Sequence, residues 1–185
     1  MNTRRAVLCL VVALLLESAT SRTTFAQAPV DERVYKATFL FNFAQFVEWP
    51  PASFADPRDP IVIGVLGQDP FGTILEDLVE GDLAQGRSLT VHRFSKVEDV
   101  KVCHILFVSA SERASFPRIF AALKGRPVLT VGDVPGFAAG GGIIGFVNDG
   151  KFVRMQANLA AARASGLTIS SNILRLSTIV RGAGS

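Results

Sequence analysis

Cysteine is nearly absent. Of the two in the sequence, Cys9 lies in an apolar run near the N-terminus and Cys103 stands alone in the remainder. A disulfide framework and a cysteine-rich zinc site are both excluded on that count. Histidine is equally scarce, with only His92 and His104. Neither has a Cys, Asp or Glu at the spacing of a metal-ligand motif, so the sequence offers no metal centre. Long hydrophobic runs are missing as well. The longest, Ala6 to Leu16, has 11 residues, too few for a helix crossing a hydrocarbon layer of about 30 Å.

That short run follows Met1-Asn-Thr-Arg-Arg5 and precedes a polar stretch ending in Phe25-Ala26-Gln27-Ala28-Pro29. A basic start, a short apolar segment and small residues form a secretory signal peptide, cut after Ala26 or Ala28. Pro29 directly behind Ala28 favours Ala26. Residues 1–26 are the expected signal. The remainder is expected to leave the cytoplasm and not to span the membrane once cleaved. Arg4, Arg5 and Arg22 depart with the signal against only Glu17, so most of the formal charge of +3 goes with them. The remaining chain has no dense Lys/Arg stripe, and a nucleic-acid partner is not expected.

What is present is an alternation of apolar strands and helices over residues 31–181. Asp31 caps a helix from Glu32 to Glu48, stopped by Trp49-Pro50-Pro51. Tyr35, Ala37, Phe39, Leu40, Phe43, Ala44, Phe46 and Val47 fill its apolar arc. Val34 and Phe41 fall in the polar arc, which means either a helix packed on both sides or a protein–protein contact. Strands are expected at Ile61 to Leu66, Leu89 to Phe94, Val102 to Ser109 and Val128 to Val131, with helices at Pro70 to Val79 and from Ser111 or Ser115 to Leu123. Asn148-Asp149-Gly150 joins two strands as a hairpin. Asn158 caps a helix to Ala164, and Ser170 or Ser171 opens a last helix to Val180. The expected fold is one α/β domain, a mainly parallel sheet with helices on both faces and an antiparallel hairpin at its edge.

Catalytic constellations fail one by one. Gly64-x-x-Gly67-x-x-Pro70-x-Gly72 lies where a strand enters a helix, but lacks the spacing of a dinucleotide site or a P-loop. No serine sits in a G-x-S-x-G elbow. Cys103 and His104 are strand neighbours and point to opposite faces. Cys103 is either a buried thiol or an intermolecular bridge. Neither an enzyme nor a cofactor is expected. A ligand, if one binds, belongs at the carboxyl ends of the strands, near Gly67, Asp69 and Ser109.

Several stretches in order resemble the YfiR-like family of periplasmic proteins. They are Lys36-Ala-Thr-Phe-Leu-Phe-Asn-Phe-Ala-Gln-Phe-Val-Glu-Trp-Pro50, Ile63-Gly-Val-Leu-Gly-Gln-Asp-Pro-Phe-Gly72, Cys103-His-Ile-Leu-Phe-Val-Ser109, Val131-Gly-Asp133 with Gly141-Gly-Ile-Ile-Gly-Phe-Val147, and Leu167-Thr-Ile-Ser-Ser-Asn-Ile-Leu-Arg-Leu176. The resemblance implies a regulator that represses an inner-membrane diguanylate cyclase through its periplasmic domain and so lowers cyclic-di-GMP. Val34, Phe41 and Trp49 are the candidate partner contacts, and a homodimer is a further expectation. Some relatives use disulfides as redox elements. Here Cys103 lacks a partner in the mature chain, so no internal disulfide follows. The alternative function is small-solute binding or sensing.

Overall fold

Strand Ile61–Leu66 is buried along its whole length, and the rest of the architecture is arranged around it. In the computed structural model, which describes residues 31–150 and 152–182, the signal segment lies outside the described residues. Helix α1 (Glu32–Phe46) is capped by Asp31, which accepts from the Arg33 N–H. It passes into β1 (Val47–Glu48), then through a turn to β2 (Ile61–Leu66). There follow α2 (Ile74–Val79), β3 (Leu83–Ala84), β4 (Arg87–Phe94) and β5 (Ile105–Val108). A 3-10 turn at Ala110–Ser115 leads into α3 (Phe116–Leu123), then β6 (Leu129–Gly132), β7 (Ile144–Asn148) and β8 (Val153–Ala157). The chain ends with α4 (Leu159–Ala164), β9 (Thr168–Ile169), α5 (Ser171–Leu174) and β10 (Ser177–Ile179).

The main sheet has the order β10-β8-β7-β6-β5-β2-β4-β3, and β1 pairs with β9 separately. Strands β4, β2, β5, β6 and β7 are parallel neighbours, whereas β7 and β8 form the expected antiparallel hairpin. Alternation along the strands feeds two cores. Ile61, Ile63, Val65, Ile105, Phe107, Leu129 and Val131 face the larger one, with α1 residues Ala37, Leu40, Phe43 and Ala44. Leu66, Leu106 and Val108 face the other, against Ile119 and Leu123 of α3. Strands buried on both faces account for the continuous apolar runs in the sequence.

Three expectations need correction. The last helix stops at Leu174 after one turn. Thr178 and Ile179, both β-branched, instead form β10, parallel to β8. The hairpin is therefore not at the edge, because β10 lies outside it. The first helix ends at Phe46, and Val47 and Glu48 pair with Ile169 and Thr168.

The glycine-rich segment is a packing device. Phe137 is buried, and its ring lies so close to Gly132 and Gly142 that a Cβ on either would overlap it, at 2.5 Å in the case of Gly132. Here glycine supplies room rather than an unusual backbone angle, since neither residue has a left-handed φ.

Candidate functional site

The chain leaves β2 toward β4 on one flank and returns to β5 on the other. This reversal places a topological switch point outside the carboxyl ends of β2 and β5, the usual location of a ligand crevice in open α/β sheets. Gly67 follows β2 and Ser109 follows β5, and the structure brings them together. The Ser109 N–H donates to the Leu66 carbonyl at 3.0 Å. The Gln68 N–H donates to Ser111 Oγ, also at 3.0 Å. Gly67 has φ +86°, and a Cβ there would meet Ser111 Oγ at 2.5 Å and Glu112 Cγ at 2.8 Å. The side chains of Ser111 and Glu112 thus fill the space beside Gly67.

Asp69 is occupied locally. Its Oδ1 accepts from the Phe71 N–H at 2.7 Å, and its Oδ2 accepts from Arg93 Nε at 3.0 Å. Arg93 also pairs with Glu76 and donates to the Gly72 carbonyl. The hydrogen bond from Arg93 holds the Glu76 carboxyl below its ordinary pKa. Asp69 and Arg93 therefore fasten α2 to β4. A cavity of about 110 Å³ opens elsewhere, between α3 and α4, with Phe120, Leu123, Ile143 and Ala161 among its walls.

A second polar cluster on the carboxyl side of the sheet was not read from the sequence. Lys36, on α1, is buried. Its Nζ lies 2.6 Å from Asp133 Oδ2, just past β6, and 2.7 Å from Glu32 Oε1. Asn148, at the end of β7, donates to Glu32 Oε2 at 3.0 Å. Burial pulls the Lys36 pKa down, but the hydrogen bonds to Asp133 and Glu32 outweigh it and hold the value above the ordinary range. Among the described residues, Asp133 Oδ1 is buried without a hydrogen-bond partner. The one available signal was a lysine between Tyr35 and Ala37 in the apolar arc. Its partner 97 residues away had no local mark.

The three proposed partner contacts separate. Val34 is 40% exposed. Phe41 is half-buried and packs against the larger core, while nearby Gln45 donates to the Leu83 carbonyl. Helix α1 is thus packed on the Phe41 flank by its own domain. Trp49 is buried, and its indole N–H donates to the His104 carbonyl at 3.2 Å. It offers no surface, because the turn after α1 folds back over the sheet.

Cys103 is buried in the smaller core with its sulfur 3.1 Å from the Ile105 carbonyl, and burial pushes its thiol up to about 12. His104 is buried on the opposite side of the strand, and His92 is exposed.

Residues 33–178 match the protein family described as YfiR/HmsC-like. No curated protein matches the chain. A solved structure similar in fold is described as the ABC domain in complex with L-Trp from Streptococcus pneumonia, with a TM-score of 0.50 and 13% identity. The similarity covers 76% of this chain and 58% of that one, so this chain spans less than two thirds of that protein. At this identity the likeness is one of fold.

Proposed function

Because the chain belongs to the YfiR/HmsC-like family, we propose that it is an exported regulatory binding protein that restrains an inner-membrane diguanylate cyclase. It binds the cyclase's periplasmic domain more tightly in the inactive arrangement than in the active one and so shifts the population toward inactivity. The family match over residues 33–178 carries this reading. The mode of action is binding, not chemistry.

Of the three candidate contacts, Val34 keeps the most accessible apolar surface, which favours it as the contact on α1. Phe41 contributes its outer edge, and Trp49 supports the end of the helix from inside. A photo-crosslinking amino acid at position 34 of the exported chain tests this in cells. The expected adduct contains an inner-membrane protein with a cytoplasmic cyclase domain, and the same probe at exposed Lys101 gives none. Equal adducts from both positions, or an adduct lacking such a protein, would contradict the reading. The alternative, solute binding at Gly67, Asp69 and Ser109, requires Ser111 and Glu112 to move aside.

A further inference from the structure

The cavity between α3 and α4 lies at the amino ends of β6 and β7, where Val128 and Ile143 lead into the two strands. Because β2, β5, β6 and β7 run parallel, this is the opposite end of the sheet from Gly67 and Ser109. Its space follows from small residues. Ala161 and Ala164 line it from α4, and Gly125 and Gly141 from the turns that follow α3 and precede β7. Gly141 sits at φ +124°, and a Cβ there would meet the Phe120 ring at 3.1 Å. Glycine at that position lets Phe120 form one wall. Leu123, Val128, Thr130 and Ile143 are buried and make the floor, while Lys124, Gly125, Gly141 and Ala164 are exposed at the rim.

One polar side chain interrupts the apolar floor. Thr130, in β6, is 5% exposed. Its neighbours Leu129 and Val131 point into the larger core, so strand alternation turns Thr130 toward α3 and the cavity. Its Oγ1 accepts the Ile143 N–H at 3.0 Å. A hydroxyl also has a proton to donate, and among the described residues no group accepts it. An acceptor for that proton has to come from the occupant of the cavity.

Size and charge narrow the occupant. The volume of about 110 Å³ is several times what one water needs, and water there finds fewer polar partners than a tightly held molecule requires. Such water is readily displaced by an apolar body. A cavity of roughly 150 Å³ with Leu, Ile and Phe walls binds benzene, so this one suits a body of about five or six heavy atoms. No carboxylate lines the walls, which leaves a cation without a counter-charge. The charged wall residue, Lys124, is exposed at the rim. A carboxylate seated at Thr130 would therefore be buried against a single hydroxyl, at a large desolvation cost.

We propose that this cavity binds a small uncharged molecule, of the class of alcohols, ketones and phenols, whose oxygen accepts the Thr130 proton while its apolar body packs on Phe120, Leu123 and Ile143. This goes beyond the regulatory reading and does not depend on it. The site is also separate from the crevice near Gly67, Asp69 and Ser109.

Cyclopentanone, an apolar ring bearing one carbonyl, is the probe. It is titrated into the exported chain while the methyl resonances of Leu, Val and Ile are followed by NMR. Saturable shifts are expected at Leu123, Val128 and Ile143, with Leu40 and Ile63 in the larger core unmoved. Ala161→Leu fills the space from α4 and should abolish saturation. Thr130→Val removes the hydroxyl and should weaken binding about fivefold, whereas Thr130→Ser keeps it and should bind close to wild type. Shifts that only rise linearly, saturation kept in Ala161→Leu, or equal affinities for Thr130→Val and Thr130→Ser would each overturn the proposal. If either Ala161→Leu or Thr130→Val fails to fold, the wild type decides. Intermolecular Overhauser contacts between the cyclopentanone ring protons and the Thr130 and Ile143 methyl groups support the site, and saturable shifts without those contacts contradict it.

Discussion

The Lys36 ammonium lies 2.6 Å from Asp133 Oδ2 and ties the first turns of α1 to the carboxyl end of β6. Side-chain exposures of 10% and 18% place the pair largely out of water, where removing one partner costs more than the pair contributes. Asp133→Ala should destabilise the fold by about 2–3 kcal/mol in urea unfolding. Because Lys36 retains Glu32 in the single variant, the loss should be below that of a wholly stranded charge. Lys36→Met combined with Asp133→Leu should recover most of it. An additive double variant would show that the two side chains do not act as a pair.

The fit of Phe137 against Gly132 and Gly142 gives a second expectation. Gly142→Ala places a methyl group into the phenyl ring and should cost roughly 1–3 kcal/mol as overpacking. Phe137→Leu in the same chain should reduce the penalty of Gly142→Ala. If the penalty is unchanged, the glycine is required for its backbone instead.

Cys103 should be chemically silent in the native protein. Thiolate is the reactive form, and a thiol pushed up to about 12 by burial holds almost none of it at pH 8. Ellman's reagent should therefore label the signal-free chain only after denaturant is added. Rapid labelling without denaturant would mean that the thiol is accessible, and would reopen the intermolecular bridge.

Stability should fall as pH drops below about 6.5. In the folded chain burial lowers the pKa of His104, so the unfolded chain takes up the proton first as pH falls. The contribution is fully present above the unfolded value and is lost below it, at no more than about 1.4 kcal/mol per pH unit. Glu76, whose pKa Arg93 lowers, loses its contribution only at the more acidic pH where carboxylates protonate. Denaturant midpoints at pH 7.5, 6 and 5 separate the two. Equal midpoints for wild type and His104→Asn at all three would contradict the assignment to His104.

The parts of the fold that repeat a local pattern were legible in the sequence. The run Ile61 to Leu66, the Asp149-Gly150 turn and the Asn158 cap all correspond to observed elements. The C-terminal stretch was misread because Ser170 and Ser171 suit a helix start, while the choice between helix and strand after Leu174 was made by pairing with β8. The position of Gly67 and Ser109 just past the carboxyl ends of their strands was also legible. That Ser111 and Glu112 fill the space beside Gly67 depends on the 3-10 turn at Ala110–Ser115, which has no distinct spacing. Lys36 with Asp133, and Trp49 with Phe54 around His104, join distant positions through tertiary packing alone. Val34 and Phe41 stood out equally as misplaced apolar residues. Only the packing on the Phe41 flank distinguishes one from the other.

The central claim, regulation from outside the cytoplasm, is tested most directly by cellular cyclic-di-GMP in a strain lacking this protein, complemented with either an exported or a leaderless copy. Deletion should raise the level, and the exported copy should reverse the rise while the leaderless copy does not. An unchanged level on deletion, or equal rescue by the leaderless copy, would contradict it.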